Sequence, residues 1–458
     1  MLKRLKLPDK LVKYLLAAIV VFVPLYPKFP FIKIPGTYVS IRFEDFLMFL
    51  LGFIVLAIIA RKPASFLKNK INKAILIFLG IGFVSLMYAV FVTNTVEFSI
   101  GLLHWLRRVE YLIPFFAGYY YLRKYPSDIE FFYKLIIVTL FFVFLYGFGQ
   151  KYFNFPVIAT QNEEYSKGVA LKYAATGHLS STFAGHYDMA TYLVLTLPLF
   201  IGGFVLLKNK KEKIILLITT LFGLWLLANS ASRISVVSYV VASSVMLILI
   251  KKYRYILLVL LSSVIMFGMS SNLLARYNQV FEVFWEKTTE TIFEKGAFSG
   301  QFIINAQEPQ TLRRKTSTPT PEPIPVFEDR STSIRFNVEW PRAIRAFTKN
   351  PILGTGYSSI TLATDNDYLR LLGEVGLLGF MAFLLIIAKF VLKILKLLPL
   401  SKKLSNMNLI YVAGFAGALS GVLINAVFID VFEASKFAIM FWLFGGFAMA
   451  IIKNSKYE

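Results

Sequence analysis

The 458-residue chain has no cysteine, only three histidines, and just 16% charged residues. Without cysteine there can be no disulfide framework, no thiolate metal site and no cysteine nucleophile. The shortage of charge excludes a soluble globule. Soluble domains carry about 25% charged and about 45–50% apolar residues, whereas 57% of this chain is apolar. Also missing are a Walker loop, a dinucleotide fingerprint, a His-rich metal motif and any internal repeat of fixed period, so nucleotide-driven pumping has no support.

What the chain has in abundance is long apolar sequence, rich in Phe and Tyr. Runs of roughly 18 residues or more mark membrane helices, and such runs predict twelve of them, over 12–27, 44–60, 73–92, 107–122, 131–150, 188–207, 214–229, 235–250, 255–270, 368–396, 408–428 and 432–452. The expected fold is therefore an all-α, polytopic membrane protein. Nine helices fall in residues 1–270, a large loop spans 271–367, and three further helices occupy 368–458.

The formal charge of +23 is a matter of topology. With the N-terminus in the cytoplasm, basic clusters such as Arg61 to Lys73, Lys208 to Lys213, Lys251 to Arg254 and Lys389 to Lys403 all fall on the inner side, as the positive-inside rule requires. Both termini are then cytoplasmic, the 271–367 loop is extracytoplasmic, and a nucleic-acid partner is not implied. Within that loop, residues 313–325 are rich in Pro and Thr and read as a disordered excursion. The flanks, Phe281 to Phe293 and Ser333 to Thr348, have apolar residues at helical spacing and read as amphipathic helices lying on membrane lipids.

Four groups of outer residues have chemical potential. Arg233 lies in the tight turn between the seventh and eighth spans, where a guanidinium fork suits phosphate oxygens or snorkels to headgroups. Arg335 and Arg342, seven apart on the second amphipathic segment, share a helix face, with Arg345 close by. Asp365, Asn366 and Asp367 precede the tenth span; an Asp-x-Asp can ligate a cation or act as general base, and Asp or Asn at this position also caps helices. His186 opens the sixth span. Arg108 either pairs with Glu110 or faces the same cavity as Arg233.

The order of these motifs resembles the O-antigen ligase and O-antigen polymerase superfamily. The resemblance is carried by Ser232-Arg233, a long outer loop, Arg335 and Trp340, then Asn-Pro-Ile-Leu-Gly-Thr-Gly from Asn350 to Gly356. It continues with the Asp365 to Gly379 stretch and the Asn425 to Lys436 ending. The resemblance implies a GT-C-like membrane glycosyltransferase that takes a glycan from an undecaprenyl-diphosphate carrier. The glycan passes to lipid A core or another glycan or lipid acceptor at the outer face of the inner membrane. A polymerase of the same superfamily is the alternative, and a flippase of lipid-linked glycans is the alternative from another class. The resemblance also implies diphosphate binding by Arg233 and Arg335, to which their position in the sequence adds Arg342 and Arg108 as candidates. Where such ligases have His-Asn this chain has Asp365-Asn366, so the proton acceptor is sought among Asp365, Asp367 and His186. Neither a cofactor nor a metal is expected.

Overall fold

The computed structural model describes residues 9–27, 30–33, 40–157, 178–269, 334–360 and 363–455. A helix covers each of the twelve apolar runs. In chain order they are α1 (Asp9–Leu25), α2 (Phe43–Arg61), the short α3 (Pro63–Lys68), α4 (Lys70–Phe91), α5 (Phe98–Lys124) and α6 (Ile129–Tyr152), then α7 (His186–Leu206), α8 (Lys210–Asn229), α9 (Arg233–Leu249) and α10 (Ile256–Met269). After α11 (Trp340–Lys349) come α12 (Asp367–Lys396), the single turn α13 (Leu400–Lys403), α14 (Asn406–Asn425) and α15 (Ser435–Asn454). A two-stranded antiparallel ribbon, β1 (Pro30–Lys33) with β2 (Ser40–Arg42), joins α1 to α2. Among the described residues, eight helices are long and apolar enough to cross a membrane, and further apolar helices are shorter. The protein is an integral, all-α membrane protein. The expected helix over Phe281 to Phe293 and the 313–325 excursion lie outside the described residues.

Polar contacts sort the helix ends into two layers. One layer gathers the start of α1, the α5 to α6 junction and the end of α15. There Asp9 accepts from Lys124 (2.6 Å) and Tyr125, Lys13 pairs with Asp128 at 3.1 Å, and the Asn454 amide donates to the Leu122 carbonyl. The other layer, called here the site end, gathers the opposite termini. Thr182, before α7, and Lys436, at the start of α15, both donate to the Pro24 carbonyl of α1, and Thr95, before α5, donates to the Thr355 carbonyl. Successive spans thus run alternately up and down.

Close helix approach depends on small residues, as it does generally in membranes. Gly417 and Gly421, one turn apart on α14, face the backbone of α9. A Cβ on Gly421 would sit 2.6 Å from the Ser238 carbonyl oxygen, and one on Gly417 would strike that of Ala242. At the site end of this seam Ser238 donates to the Asn425 side chain, whose amide donates to Thr191 of α7. The starts of α7 and α9 are thereby fixed beside the end of α14. α15 occupies the centre, with its whole apolar window buried.

Two helices depart from the expected regular form. The 368–396 run is broken inside α12, where Gly376 takes φ 65° and ψ −171°. Into this break docks the Asn350 to Gly356 turn. Thr355 and Gly356 amides donate to the Gly373 and Glu374 carbonyls, while Leu377 and Leu378 donate back to Pro351 and Ile352. Ser85 of α4 closes the joint by donating to the Leu353 and Glu374 carbonyls. The second departure lies before α11, where residues Arg335–Glu339 form a π-turn whose closing bond runs from the Trp340 amide to the Arg335 carbonyl. Pro341 explains it. Its ring has no N–H to give and would crowd the carbonyl four residues back, so the chain widens by one residue there.

Candidate functional site

The segments at the site end bring their charged side chains together around α12. Arg335 is 8% exposed, and its Nε and Nη2 both donate to Asp365 Oδ2, at 3.0 and 2.7 Å. The same Nη2 reaches the Tyr187 hydroxyl at 3.4 Å. Asp365 holds the left-handed backbone value φ 48°, which turns its carboxylate toward the π-turn. Burial lifts the Asp365 carboxyl above the ordinary carboxylate range, and Asp430 adds to this, against the pull of Arg335.

The three residues of the Asp-Asn-Asp run do three different things. Asn366 caps α12, its side-chain oxygen accepting from the Leu369 amide at 3.0 Å. Asp367 is 2% exposed and accepts from the Val431 and Phe432 amides, the shortest at 2.8 Å. Only Asp365 looks toward Arg335. The two carboxylates face different partners, and among the described residues no group of three or more His, Asp or Glu side chains is placed to hold a metal ion.

Behind this pair runs a buried ion network that the sequence reading passed over. Arg370 bonds Asp430 at 3.0 Å and lies 3.6 Å from Glu374 and 3.5 Å from Glu433. Asp430 also accepts from the Thr364 amide at 2.8 Å and the Asn366 amide at 3.0 Å, fixing the loop that carries Asp365. Arg370 and Glu374, four apart inside an apolar span, were the available signal, because charge in a membrane helix is rarely idle. Arg108 joins the network by pairing with Glu433 and donating to the Phe432 carbonyl at 3.0 Å. Of the two expectations for Arg108, the pair with Glu110 is corrected, since the neighbour that bonds Glu110, at 2.9 Å, is Arg107. A cavity of about 30 Å³ lies under Arg108, Asp367 and Glu433, room for water but not for a sugar.

The remaining predicted residues sit around this core. His186 begins α7, its ring centroid 4.5 Å from that of His178 and 4.0 Å from that of Tyr187, the partner of Arg335. Arg233 is the first residue of α9 and is half-buried. Arg342 is half-buried on α11, while Arg345 is exposed. Arg233, Arg335, His186 and Asp365 are thus all at one end of the bundle.

Residues 215–384 match the family model for O-antigen ligase. The match supports the O-antigen ligase and polymerase superfamily for that region of the chain. No curated protein matches it. The O-antigen ligase region runs from α8 into α12 and contains Arg233, Arg335, Arg342, Asp365, Asp367 and Arg370. Arg108, His186, Asp430 and Glu433 lie outside it, so helices on both sides of the O-antigen ligase region supply the ion partners that hold its loops. The matched family implies, in general terms, a membrane glycosyltransferase-like activity with lipid-linked glycan and acceptor substrates.

Proposed function

We propose that this protein is a ligase-type glycosyltransferase that moves a glycan from an undecaprenyl-diphosphate carrier to an acceptor at the outer face of the inner membrane. The observation that carries the reading is Arg335: a buried guanidinium from the O-antigen ligase region, held at the site end by the single carboxylate of Asp365. As the anomeric C–O bond breaks, negative charge grows on the leaving phosphate, and a guanidinium already in place lowers the barrier where that charge appears. Asp365 orients Arg335 before the donor arrives. Arg233 is the second clamp. A cation in the first turn of a helix opposes the helix dipole, and a diphosphate there is attracted by the guanidinium and by the helix N-terminus alike. Arg342 is half-buried on α11 seven residues after Arg335, and Arg108 acts from behind through Glu433 and Arg370.

The lysine-rich start of α8 and the 251–254 turn belong to the end opposite the site, which supports an extracytoplasmic site with both termini inside. The polymerase reading differs only in the acceptor, which would be a second lipid-linked glycan.

Reconstitution in liposomes with a lipid-linked oligosaccharide tests the reading. Covalent transfer to an added lipid A core acceptor is the expected result, elongation of the donor itself indicates the polymerase, and leaflet exchange without product indicates transport. Transfer is expected to continue at full rate in excess chelator, since two arginines can neutralise a diphosphate. Loss of activity that magnesium or manganese restores would refute this.

A further inference from the structure

Along the segment that carries Arg335, three buried polar atoms have no hydrogen-bond partner among the described residues: Glu339 Oε2, Trp340 Nε1 and Arg342 Nη1. Buried polar groups left unpaired are costly, and native folds seldom keep them without a use. These three fall within one helical turn. One carboxylate acceptor and two N–H donors are the complement of sugar hydroxyls, which both give and take hydrogen bonds. Aromatic rings stand beside them. Phe336, 54% exposed, meets Trp340 at a centroid distance of 4.6 Å, and Trp340 lies 6.1 Å from Phe428. Such a surface suits the apolar face of a pyranose ring.

Arg335 and Glu339 open and close the π-turn. They lie four residues apart along the turn, so their side chains set out from separate points of it. Displacement at an anomeric carbon puts the entering and leaving oxygens on opposite sides of that carbon, so the groups that serve them need such a separation. The competing carboxylates are engaged: Asp365 with Arg335, Asp367 with two backbone amides, Asp430 with two more and Arg370.

We propose that Glu339 is the general base, taking the proton of the acceptor hydroxyl on Oε2 as that oxygen bonds to the anomeric carbon. The inference rests on the transferase reading above. In the step the C–O bond to the carrier breaks, and its electron pair stays on the phosphate oxygen beside Arg335. The proton stays on Glu339 until the half-buried carboxyl passes it to water. Burial and the repulsion of Asp365 and Asp430 raise Glu339 to about 7, with Arg335 and Arg342 pulling the other way. A base so tuned is matched to work near neutral pH.

The test uses the full chain in liposomes with a lipid-linked oligosaccharide donor and a saccharide acceptor. Glu339→Gln is expected to slow transfer by about 10²–10⁴-fold, with donor binding and melting temperature unchanged, and Glu339→Asp to keep part of the rate. For the parent, kcat/KM should fall as pH drops through about 7, because protonation removes the base; the residual activity of E339Q should lack that limb. If the parent makes product and E339Q matches its rate, keeps its pH limb, or loses donor binding, Glu339 is not the base and the transferase reading stands. If the parent makes no product at all, the transferase reading fails, and the assignment of Glu339 with it.

Discussion

Replacing Arg335 by alanine is expected to cut glycan transfer by about 10²–10³-fold, the effect of deleting one preorganised donor to a developing anion, equivalent to about 2.7–4 kcal/mol of barrier. The loss should fall on kcat more than on donor affinity, because the charge that Arg335 meets grows as the bond breaks. Arg335→Lys should recover little. Nε and Nη2 use the fork of the guanidinium to hold Asp365, and an ammonium presents a point charge instead. Single-turnover rates with a preloaded lipid-linked donor give the measurement. A rate within threefold of the parent for both variants, with normal membrane insertion, would remove Arg335 from the chemistry.

Gly376→Ala is expected to be the most damaging single-methyl change to the fold. Gly376 adopts φ 65° and ψ −171°, a region essentially reserved for glycine, at a cost of about 1–3 kcal/mol for other residues. The clash adds to this. The new Cβ would lie 2.6 Å from the Gly354 nitrogen and closer still to the Ile352 carbonyl. Backbone on both sides has no side-chain freedom to yield. The docked 350–356 turn should therefore detach from α12, and Ser85 should lose both of its acceptors. Thermal unfolding in detergent should show a fall of several degrees, accompanied by loss of transfer, because Ala343 and Arg335 are carried on the chain leading into that turn. An unchanged unfolding temperature would show that the break in α12 tolerates a side chain.

The spans were legible because twelve apolar runs leave a helix as the way to satisfy each backbone group in lipid. The break at Gly376 was not, since a glycine in an apolar run looks the same whether it kinks a helix or lets a neighbour approach. Nor was the π-turn, which follows from Pro341 acting on the residues before it. At the site, the Asp-Asn-Asp run stands out in the sequence, yet its three side chains divide into a clamp on Arg335, a helix cap and a tie to Val431 and Phe432. Sequence order could not assign those parts, because the partners lie more than sixty residues away for Asp367 and thirty for Asp365. Arg370 and Glu374 were visible as charges inside an apolar helix, but their meaning depended on Asp430 and Glu433 from the far side of α14. Glu339 stayed hidden because one more acid on an amphipathic face is ordinary until its surroundings are known.

The burial of α15 has a consequence for how the protein is made. This helix emerges from the ribosome after every span it touches, yet α5, α7, α12 and α14 close around it. Until it arrives, those helices must present to the lipid the surfaces that will later enclose it, including the Gly118 face of α5 where Leu443 and Phe447 come to rest. The slot that α15 fills is rimmed at the site end by the ion pairs that join Glu433 to Arg108 and Arg370.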